Sequence, residues 1–290
     1  MKKYFNVIVI FSVLACQQKS SKLEDLYDFP KSLKEVSGII SIQDSDLLAC
    51  VEDSGNKNEI YLLNPKGKVE RTIEIKGVDN NDWEDITKDT DGNLYIGDFG
   101  NNDNDRKDLA IYKVEKVDLL NSKVEPSSII KFSYPEQKDF PPKKKELLYD
   151  VEGFLSFKDN FYLFTKNRSS NFDGTAYVYK VSNHSGNQKA EKVGEFITGS
   201  NYRNYAITSV AISPNQQKIA ILTHSKIIVF ENFKGDDFLS GKRTEIDLQH
   251  SSQKESICFI DNETVYIADE KVKHVGGKLY QFKMQNLSQN

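Results

Sequence analysis

The sequence is poor in cysteine, methionine, tryptophan and histidine, with three, two, one and four copies among 290 residues. So few cysteines exclude a scaffold built on disulfides. A formal charge of −4, without a basic stripe, argues against nucleic acid as a partner. The apolar spacing of amphipathic helices is also missing over any useful length, which excludes a mainly helical fold.

One long apolar run is present, Tyr4 to Val13, and it is too short to span a bilayer. It leads into Leu14-Ala15-Cys16, which resembles the lipobox of bacterial lipoproteins. The resemblance implies cleavage before Cys16 and acylation of its sulfur, and an ordinary signal peptide with an incidental cysteine is the alternative. We therefore expect a signal peptide over 1–15, a lipidated tether over 16–22, and a membrane anchor in the bacterial cell envelope, facing the periplasm or the exterior.

A repeated order of strands organises the chain from residue 23 to residue 290. Each of five units opens with a polar residue that enters an apolar strand, and most then pass a turn rich in Asp, Asn or Gly. Two strands rich in β-branched and aromatic residues follow. Equivalent opening positions, spaced 47, 68, 56 and 47 residues apart, are Ser37, Glu84, Glu152, Thr208 and Glu255. This spacing suits four-stranded blades.

The repeats predict one all-β domain, a five-bladed β-propeller. The fifth unit ends after its third strand, so we expect Leu23 to Phe29 to supply the fourth and close the ring. A β-sandwich would not explain the repeated strand order, and a sixth blade would lack an opening strand. Cys50 and Cys258 fall in the first and last blades, which are neighbours in a closed ring, so they either pair or remain buried thiols.

The innermost strands of a propeller run beside its axis, so the five opening residues should form one ring of three carboxylates and two hydroxyls. Two carboxylates about 5–6 Å apart repel by roughly 3 kcal/mol at an effective dielectric constant near 20. No basic residue occupies this level of the repeat, so we expect a cation to offset the repulsion. Calcium tolerates such a mixture of oxygen ligands. The alternative is that these residues only hydrogen-bond the neighbouring blades.

Two families share features with these motifs. The order Ser, Glu, Glu, Thr, Glu is similar to the calcium-activated nucleotidases, apyrases with a five-bladed propeller in which Ser, Glu, Glu, Ser and Glu surround calcium. This likeness implies calcium ligands at Ser37, Glu84, Glu152, Thr208 and Glu255. The stretch Asp82-Trp-Glu-Asp-Ile-Thr, with Gly92-Asn-Leu-Tyr-Ile-Gly-Asp-Phe-Gly-Asn-Asn after it, resembles uncharacterised bacterial propeller lipoproteins, which are loosely related to phytase-like and gluconolactonase-like calcium propellers.

The ends of the second strands should face one rim of the axial channel. The candidate ligand contacts there are Asp53, Asp98, Asn101, Lys166, Arg168, His224 and Glu270. A rim of this composition suits an anionic or sugar-like small ligand. Lys166 and Arg168 stand where the apyrases have basic residues near the phosphates, whereas Ser54 replaces the arginine that would follow the aspartate. That departure argues against nucleotide hydrolysis.

Two functions are compatible with these features, and a third possibility is an enzyme that has lost its activity and keeps the ring for stability. One is a monomeric ligand-binding or scaffold propeller in which calcium fixes the axis. The other is a calcium-dependent hydrolase of phosphate esters, phosphoanhydrides or lactones. In that case Asp53 or His224 would act as base, and Lys166 and Arg168 would stabilise developing charge. The spacing of residues identifies no nucleophile or acid–base pair, and a fold does not define a function, so whether the chain is an enzyme stays open.

Overall fold

Five small sheets stand around one axis in the computed structural model, which describes residues 23–284. The innermost strands neighbour one another in a closed circle, in which the first strand contacts the second and the fifth contacts the first. Each sheet is antiparallel through its four main strands. The predicted five-bladed β-propeller is therefore confirmed.

The strands of each blade run in order from the axis outwards. Blade 1 contains Val36–Ser41, Leu48–Glu52, Glu59–Leu63 and Val69–Ile75. Blade 2 contains Trp83–Lys88, Leu94–Asp98, Ala110–Val114 and Ser128–Ser133. Blade 3 contains Asp150–Phe157, Asn160–Lys166, Thr175–Ser182 and Glu191–Ile197. Blade 4 contains Ile207–Ile212, Lys218–Thr223, Lys226–Glu231 and Lys242–Asp247. Blade 5 contains Lys254–Phe259, Thr264–Asp269, Lys278–Lys283 and Glu24–Asp28.

Short elements complete the described chain. Lys123–Val124 pairs in parallel with the outer edge of blade 1, and Gly186–Lys189 does the same for blade 2. One α-helical turn, Tyr202–Tyr205, is accompanied by the 3-10 turns Lys116–Leu120, Lys144–Glu146 and Phe238–Ser240. Among residues 23–284, no helix has the length and apolar character needed to cross a membrane.

The ring closes as the sequence predicted. Glu24–Asp28, the first described strand, pairs antiparallel with Lys278–Lys283, the last one. The Lys278 Nζ lies 2.7 Å from an Asp25 carboxylate oxygen, which adds an ion pair to the closure. Because the first and last described strands pair in one sheet, blade 5 has four strands and its third strand has no exposed edge.

The hydrophobic core lies between the facing sides of adjacent blades, in four clusters. The cluster around blade 1 includes the fully buried Trp83 and Ile39. Cys50 and Cys258 belong to the same cluster, and both are buried free thiols. The two cysteines thus act as small apolar side chains in this core.

Every innermost strand contains a β-bulge at the same level. In blade 1, Val36 pairs with Glu52 and Gly38 pairs with Val51, which leaves Ser37 without a partner in the ladder. The same shift in the other four blades leaves out the remaining predicted ring residues, Glu84, Glu152, Thr208 and Glu255. A bulge bends its strand and re-aims the side chain of the extra residue. The bulges therefore mark out the same five positions as the sequence repeat.

The residue after each bulge joins neighbouring blades. A Cβ added at Gly153 would lie 2.5 Å from the Val210 backbone nitrogen, so the two innermost strands approach closely there. The Ser256 hydroxyl accepts a hydrogen bond from the Ile39 N–H at 2.7 Å, and the Asp85 carboxylate accepts one from the Phe154 N–H at 3.2 Å. These contacts form a layer between two cavities on the axis, one on the side of the bulges and one on the far side.

Candidate metal and ligand site on the axis

A polar cavity of about 330 Å³ lies where the innermost strands begin. Its lining carries five carboxylates, two basic side chains and one histidine, together with hydroxyl and amide groups. The full lining is Ser37, Asp53, Glu84, Asn102, Glu152, Lys166, Arg168, Tyr202, His224, Gln253, Glu255 and Glu270. Carboxylates thus outnumber the basic groups, which leaves the cavity short of positive charge.

Four of the five predicted ring residues line this cavity: Ser37, Glu84, Glu152 and Glu255. The Ser37 hydroxyl donates a hydrogen bond of 2.6 Å to the Trp83 carbonyl of the next blade. Thr208 is not part of the lining, and its buried hydroxyl has no hydrogen-bond partner among the described residues. Four members of the predicted ring therefore share one cavity, and the fifth, Thr208, lies outside its lining.

Basic side chains do reach the level of the ring, which corrects the expectation that none would. The Lys166 Nζ lies 3.0 Å from one oxygen of Glu152, and an Arg168 guanidinium nitrogen lies 2.6 Å from the other. Arg168 also contacts Asp150, with 2.5 Å between Nε and Oδ2. In the blade 3 ladder the backbone of Lys166 pairs with Asp150. The long Lys166 side chain reaches Glu152, two residues further along the innermost strand. The acidic groups of blade 3 are therefore neutralised by the protein itself.

Two groups of three carboxylates share Glu84, and in each group one oxygen per residue lies within 4.8 Å of the others. The first group is Glu84, Asp150 and Glu152, and Lys166 and Arg168 contact the two blade 3 members, Asp150 and Glu152. The second group is Asp53, Asp82 and Glu84, hereafter the blade 2 cluster. Within residues 23–284, no lysine or arginine forms a salt bridge with any member of the blade 2 cluster. Its negative charge is therefore unbalanced.

The pKa values in the blade 2 cluster show the cost of that charge. Burial raises the pKa of Glu84 well above its usual range, and the charges of Glu152 and Asp53 raise it further. Burial likewise raises the pKa of Asp82 to about 8, with Asp53 adding to the effect. The Asp82 Oδ1 is buried and has no hydrogen-bond partner in the described chain. A cation would favour the ionised form of all three groups.

The local backbone lets two of these carboxylates approach it closely. Gly100 faces the blade 2 cluster, and a Cβ at this position would collide with carboxylate oxygens of Glu84 and Asp82. The donor set consists of carboxylate oxygens without thiolate or imidazole, which suits a hard cation such as calcium rather than zinc or copper. The unpartnered Asp82 oxygen and the missing counter-charge together fit a divalent cation.

The predicted rim residues divide into two sets. Asp53, Lys166, Arg168, His224 and Glu270 line the cavity. Asp98 and Asn101 do not, because partners within the protein surround both side chains.

Asp98 and Asn101 hold the neighbouring groups in place. The Asp98 carboxylate accepts hydrogen bonds from the Arg106 guanidinium at 2.8 Å and from the Asp82 backbone N–H at 3.1 Å. The Asn101 side-chain oxygen accepts from the Arg106 N–H at 2.9 Å, and the Asn101 N–H donates to Asp150 at 2.7 Å. Asp98 and Asn101 therefore hold Asp82, Asp150 and Arg106 in place and do not face the cavity.

His224 is the one imidazole of the cavity lining. Its Nδ1 lies 3.9 Å from a Glu255 oxygen and is buried without a hydrogen-bond partner among the described residues. Burial lowers the pKa of His224 to about 4, and the Lys166 charge contributes. The imidazole is therefore neutral at pH 7, and its free nitrogen can accept a hydrogen bond from a group in the cavity.

The structure adds residues, in the carboxylate groups and in the cavity lining, that the sequence repeat did not single out. Asp82 and Asp150 each stand two positions before a ring residue, and they complete the two carboxylate groups. The doubled pattern Asp-x-Glu at 82–84 and 150–152 is the sequence signal that could have found them. Tyr202 and Gln253 also line the cavity, without any comparable signal.

Comparisons with known proteins bear on the fold. No protein-family model matches the chain. No curated protein matches it either. Among solved structures, a gluconolactonase from Xanthomonas campestris superposes with a TM-score of 0.52 at 10% identity, over 95% of this chain and 93% of that one. The PQQ-bound form of an aldose sugar dehydrogenase from Streptomyces coelicolor gives a TM-score of 0.49 at 9% identity, over 91% and 98%. At such low identity, the likeness to the gluconolactonase shows a shared propeller fold.

Proposed function

We propose that this chain is a calcium-dependent propeller that binds a small polar molecule in its axial cavity. The observation that carries the proposal is the blade 2 cluster, in which, among residues 23–284, a buried Asp82 oxygen has no hydrogen-bond partner and no lysine or arginine forms a salt bridge. This differs from a symmetrical axial ring, because of the five predicted ligands only Glu84 remains, joined by Asp53 and Asp82. Oxygen ligands of this kind favour calcium.

The charge of the cavity supports an uncharged ligand over a phosphate. Lys166 and Arg168 are engaged by Glu152 and Asp150, so they present little free positive charge. The remaining lining groups offer mainly carboxyl, amide and hydroxyl oxygens, and among the described residues no lysine or arginine of the lining is free of a carboxylate partner. A phosphate ester would find no free basic partner there, whereas hydroxyl groups of a sugar-like molecule can donate hydrogen bonds to the carboxyl oxygens.

A hydrolase of lactones is a second candidate, and His224 is the observation that favours it. The His224 Nδ1 has no hydrogen-bond partner among the described residues, so it can accept a hydrogen bond from the attacking water molecule in the cavity. A bound divalent cation would supply polarisation of the ester carbonyl. Glu152 would keep Lys166 and Arg168 fixed in the neighbouring blade. The fold is shared with a protein named as a gluconolactonase, which makes lactones the first ester class to test.

The proposal includes the envelope anchor. Cys16 and the segments 1–15 and 16–22 lie outside the described residues, so acylation of Cys16 rests on the lipobox alone.

Calorimetric titration of the mature protein with calcium tests the metal assignment. We expect Asp82→Asn to weaken calcium binding by at least tenfold, because it removes a charged ligand from the blade 2 cluster. Glu255→Gln is the matched control, since Glu255 lines the same cavity outside that cluster. Equal loss in both variants would favour an axial ring over the blade 2 cluster. Full binding in Asp82→Asn would refute the assignment.

Hydrolysis is tested with gluconolactone, a phosphate monoester, phytate and a nucleoside diphosphate, each with calcium and with chelator. We expect turnover, if present, on the lactone, and a loss of at least a hundredfold in His224→Gln, within the usual range for a general base. Calcium affinity measured on the same variant separates a lost base from a lost metal. Binding of gluconolactone without turnover in the unmodified protein would leave ligand binding as the function.

A further inference from the structure

A second cavity lies at the opposite end of the axis from the carboxylates, with a volume of about 510 Å³. This falls within the range of roughly 300–1,000 Å³ that is usual for small-molecule sites. The later residues of the innermost strands form its apolar walls: Ile40, Ile86, Val210, Ala211, Ile257 and Phe259. The layer at Asp85 and Gly153 separates it from the polar cavity. The two cavities are therefore chemically different.

Three charged residues are part of the lining: Lys88, Asp89 and Lys158. The Asp89 carboxylate is fully occupied, because it accepts hydrogen bonds from two backbone N–H groups, the Asn93 amide and the Tyr95 hydroxyl. The Lys158 ammonium lies over the Phe157 ring, 5.1 Å from its centroid. The two lysines therefore give the lining a positive charge that Asp89 does not offset locally.

Lys88 is the most informative of these residues. It is partly buried, and its Nζ donates hydrogen bonds to the Ser41 carbonyl at 2.6 Å and to the Ser41 hydroxyl at 2.9 Å. Lys88 forms no salt bridge with any residue from 23 to 284. An ammonium group beside apolar walls is costly unless an anion accompanies it. Burial accordingly lowers the pKa of Lys88.

We propose that this cavity binds a small amphipathic anion, with one carboxylate at Lys88 and an aliphatic or aromatic body against the apolar walls. The carboxylate completes the hydrogen bonds of the ammonium group by a charge-assisted contact. The body of the ligand removes the surfaces of Ile86, Val210 and Ile257 from water. The site is separate from the calcium site and does not depend on the proposed function.

Calorimetric titration of the mature protein with decanoate, below the concentration at which it forms micelles, tests the site. We expect binding that weakens at least tenfold in Lys88→Met, which keeps the length of the side chain and removes its charge. Lys242→Met, at an exposed lysine on the outer strand of blade 4, should bind as the unmodified protein does. Decanol, which shares the apolar body but lacks the charge, should bind at least tenfold more weakly than decanoate.

A second variant tests the walls of the cavity. Ala211→Leu places extra atoms in the space and should abolish decanoate binding, with a thermal melt to verify that the variant is folded. Chelation of calcium and the Asp82→Asn substitution should leave decanoate binding unchanged, which distinguishes this site from the polar cavity. The proposal is wrong if decanoate fails to bind, or if it binds equally to the unmodified protein and to Lys88→Met.

Discussion

At the scale of single residues, the charges beside each buried carboxyl group decide its role in the polar cavity. Glu152 lies against Lys166 and Arg168, whereas Glu84 and Asp82 lie against other carboxylates. Chemically identical groups a few ångströms apart therefore have different roles, one in a structural ion pair and two as candidate metal ligands. The sequence repeat treats Glu84 and Glu152 as equivalent, and only their neighbours distinguish them.

Glu270 provides a test of this electrostatic picture by pH. Burial, with the Asp53 charge adding, raises the pKa of Glu270 to about 8, against about 4.3 for an unfolded chain. The folded state then binds more protons than the unfolded state, so the free energy of unfolding should fall as pH rises from about 4 to 8. Urea unfolding in chelator measures this slope. Glu270→Gln should make the slope shallower, while Glu136→Gln, at an exposed position, should not.

At the scale of the strand, the β-bulge is the feature that builds the site. A regular ladder would pair Ser37, Glu84, Glu152, Thr208 and Glu255 with the second strands. The bulge takes each of them out of the pairing, and the next residue then meets the adjacent blade. Small residues are needed at that next position wherever two backbones approach, as at Gly38 and Gly153.

Gly153→Ala tests this close approach. The added Cβ would meet the backbone of Ser209 and Val210, which cannot move without separating blades 3 and 4. We expect a loss of about 1–3 kcal/mol in the free energy of unfolding, as for other overpacked positions. Gly194→Ala is the matched control, because its new Cβ would meet mainly the flexible end of Leu239. An equal effect of the two substitutions in urea unfolding would contradict the close-packing argument.

At the scale of the whole molecule, the closing strand fixes which face carries the N-terminal end. Glu24 pairs with Gln281, and Lys283, two residues further along, pairs with Thr264. This end of blade 5 is the one away from the polar cavity. Asp28 pairs with Lys278, near the polar cavity. The first described strand therefore begins at the face of the second cavity. The six residues between Cys16 and Leu23 can span at most roughly 20 Å.

This arrangement predicts an orientation for the proposed lipoprotein. If Cys16 is acylated, the face with the second cavity should lie towards the bilayer, and the polar cavity should open away from it. A fluorophore attached at Asn215→Cys should be quenched by headgroup-labelled lipids more strongly than one at Ser170→Cys. The Cys16→Ser variant should release the protein from the membrane. Membrane retention of Cys16→Ser would contradict the anchor, and equal quenching at both sites would contradict the orientation.

The sequence alone determined the number of blades, the strand order and the closing strand. It could do so because strand periodicity and turn chemistry are local properties that repeat five times. It also identified the five bulged positions, since they share one place in the repeat. It could not place Lys166 and Arg168 against Glu152, because that contact depends on the reach of long side chains in three dimensions.

Only the tertiary structure decided which carboxylates lack a counter-charge. Asp53 comes from the end of a second strand in blade 1, while Asp82 and Glu84 come from the start of an innermost strand in blade 2. Their proximity arises from the packing of two blades, which no repeat within a blade can encode. The second cavity depends on the same cause, since its walls come from the strand ends of all the blades. Local pattern therefore determined the scaffold, and packing between blades determined the sites.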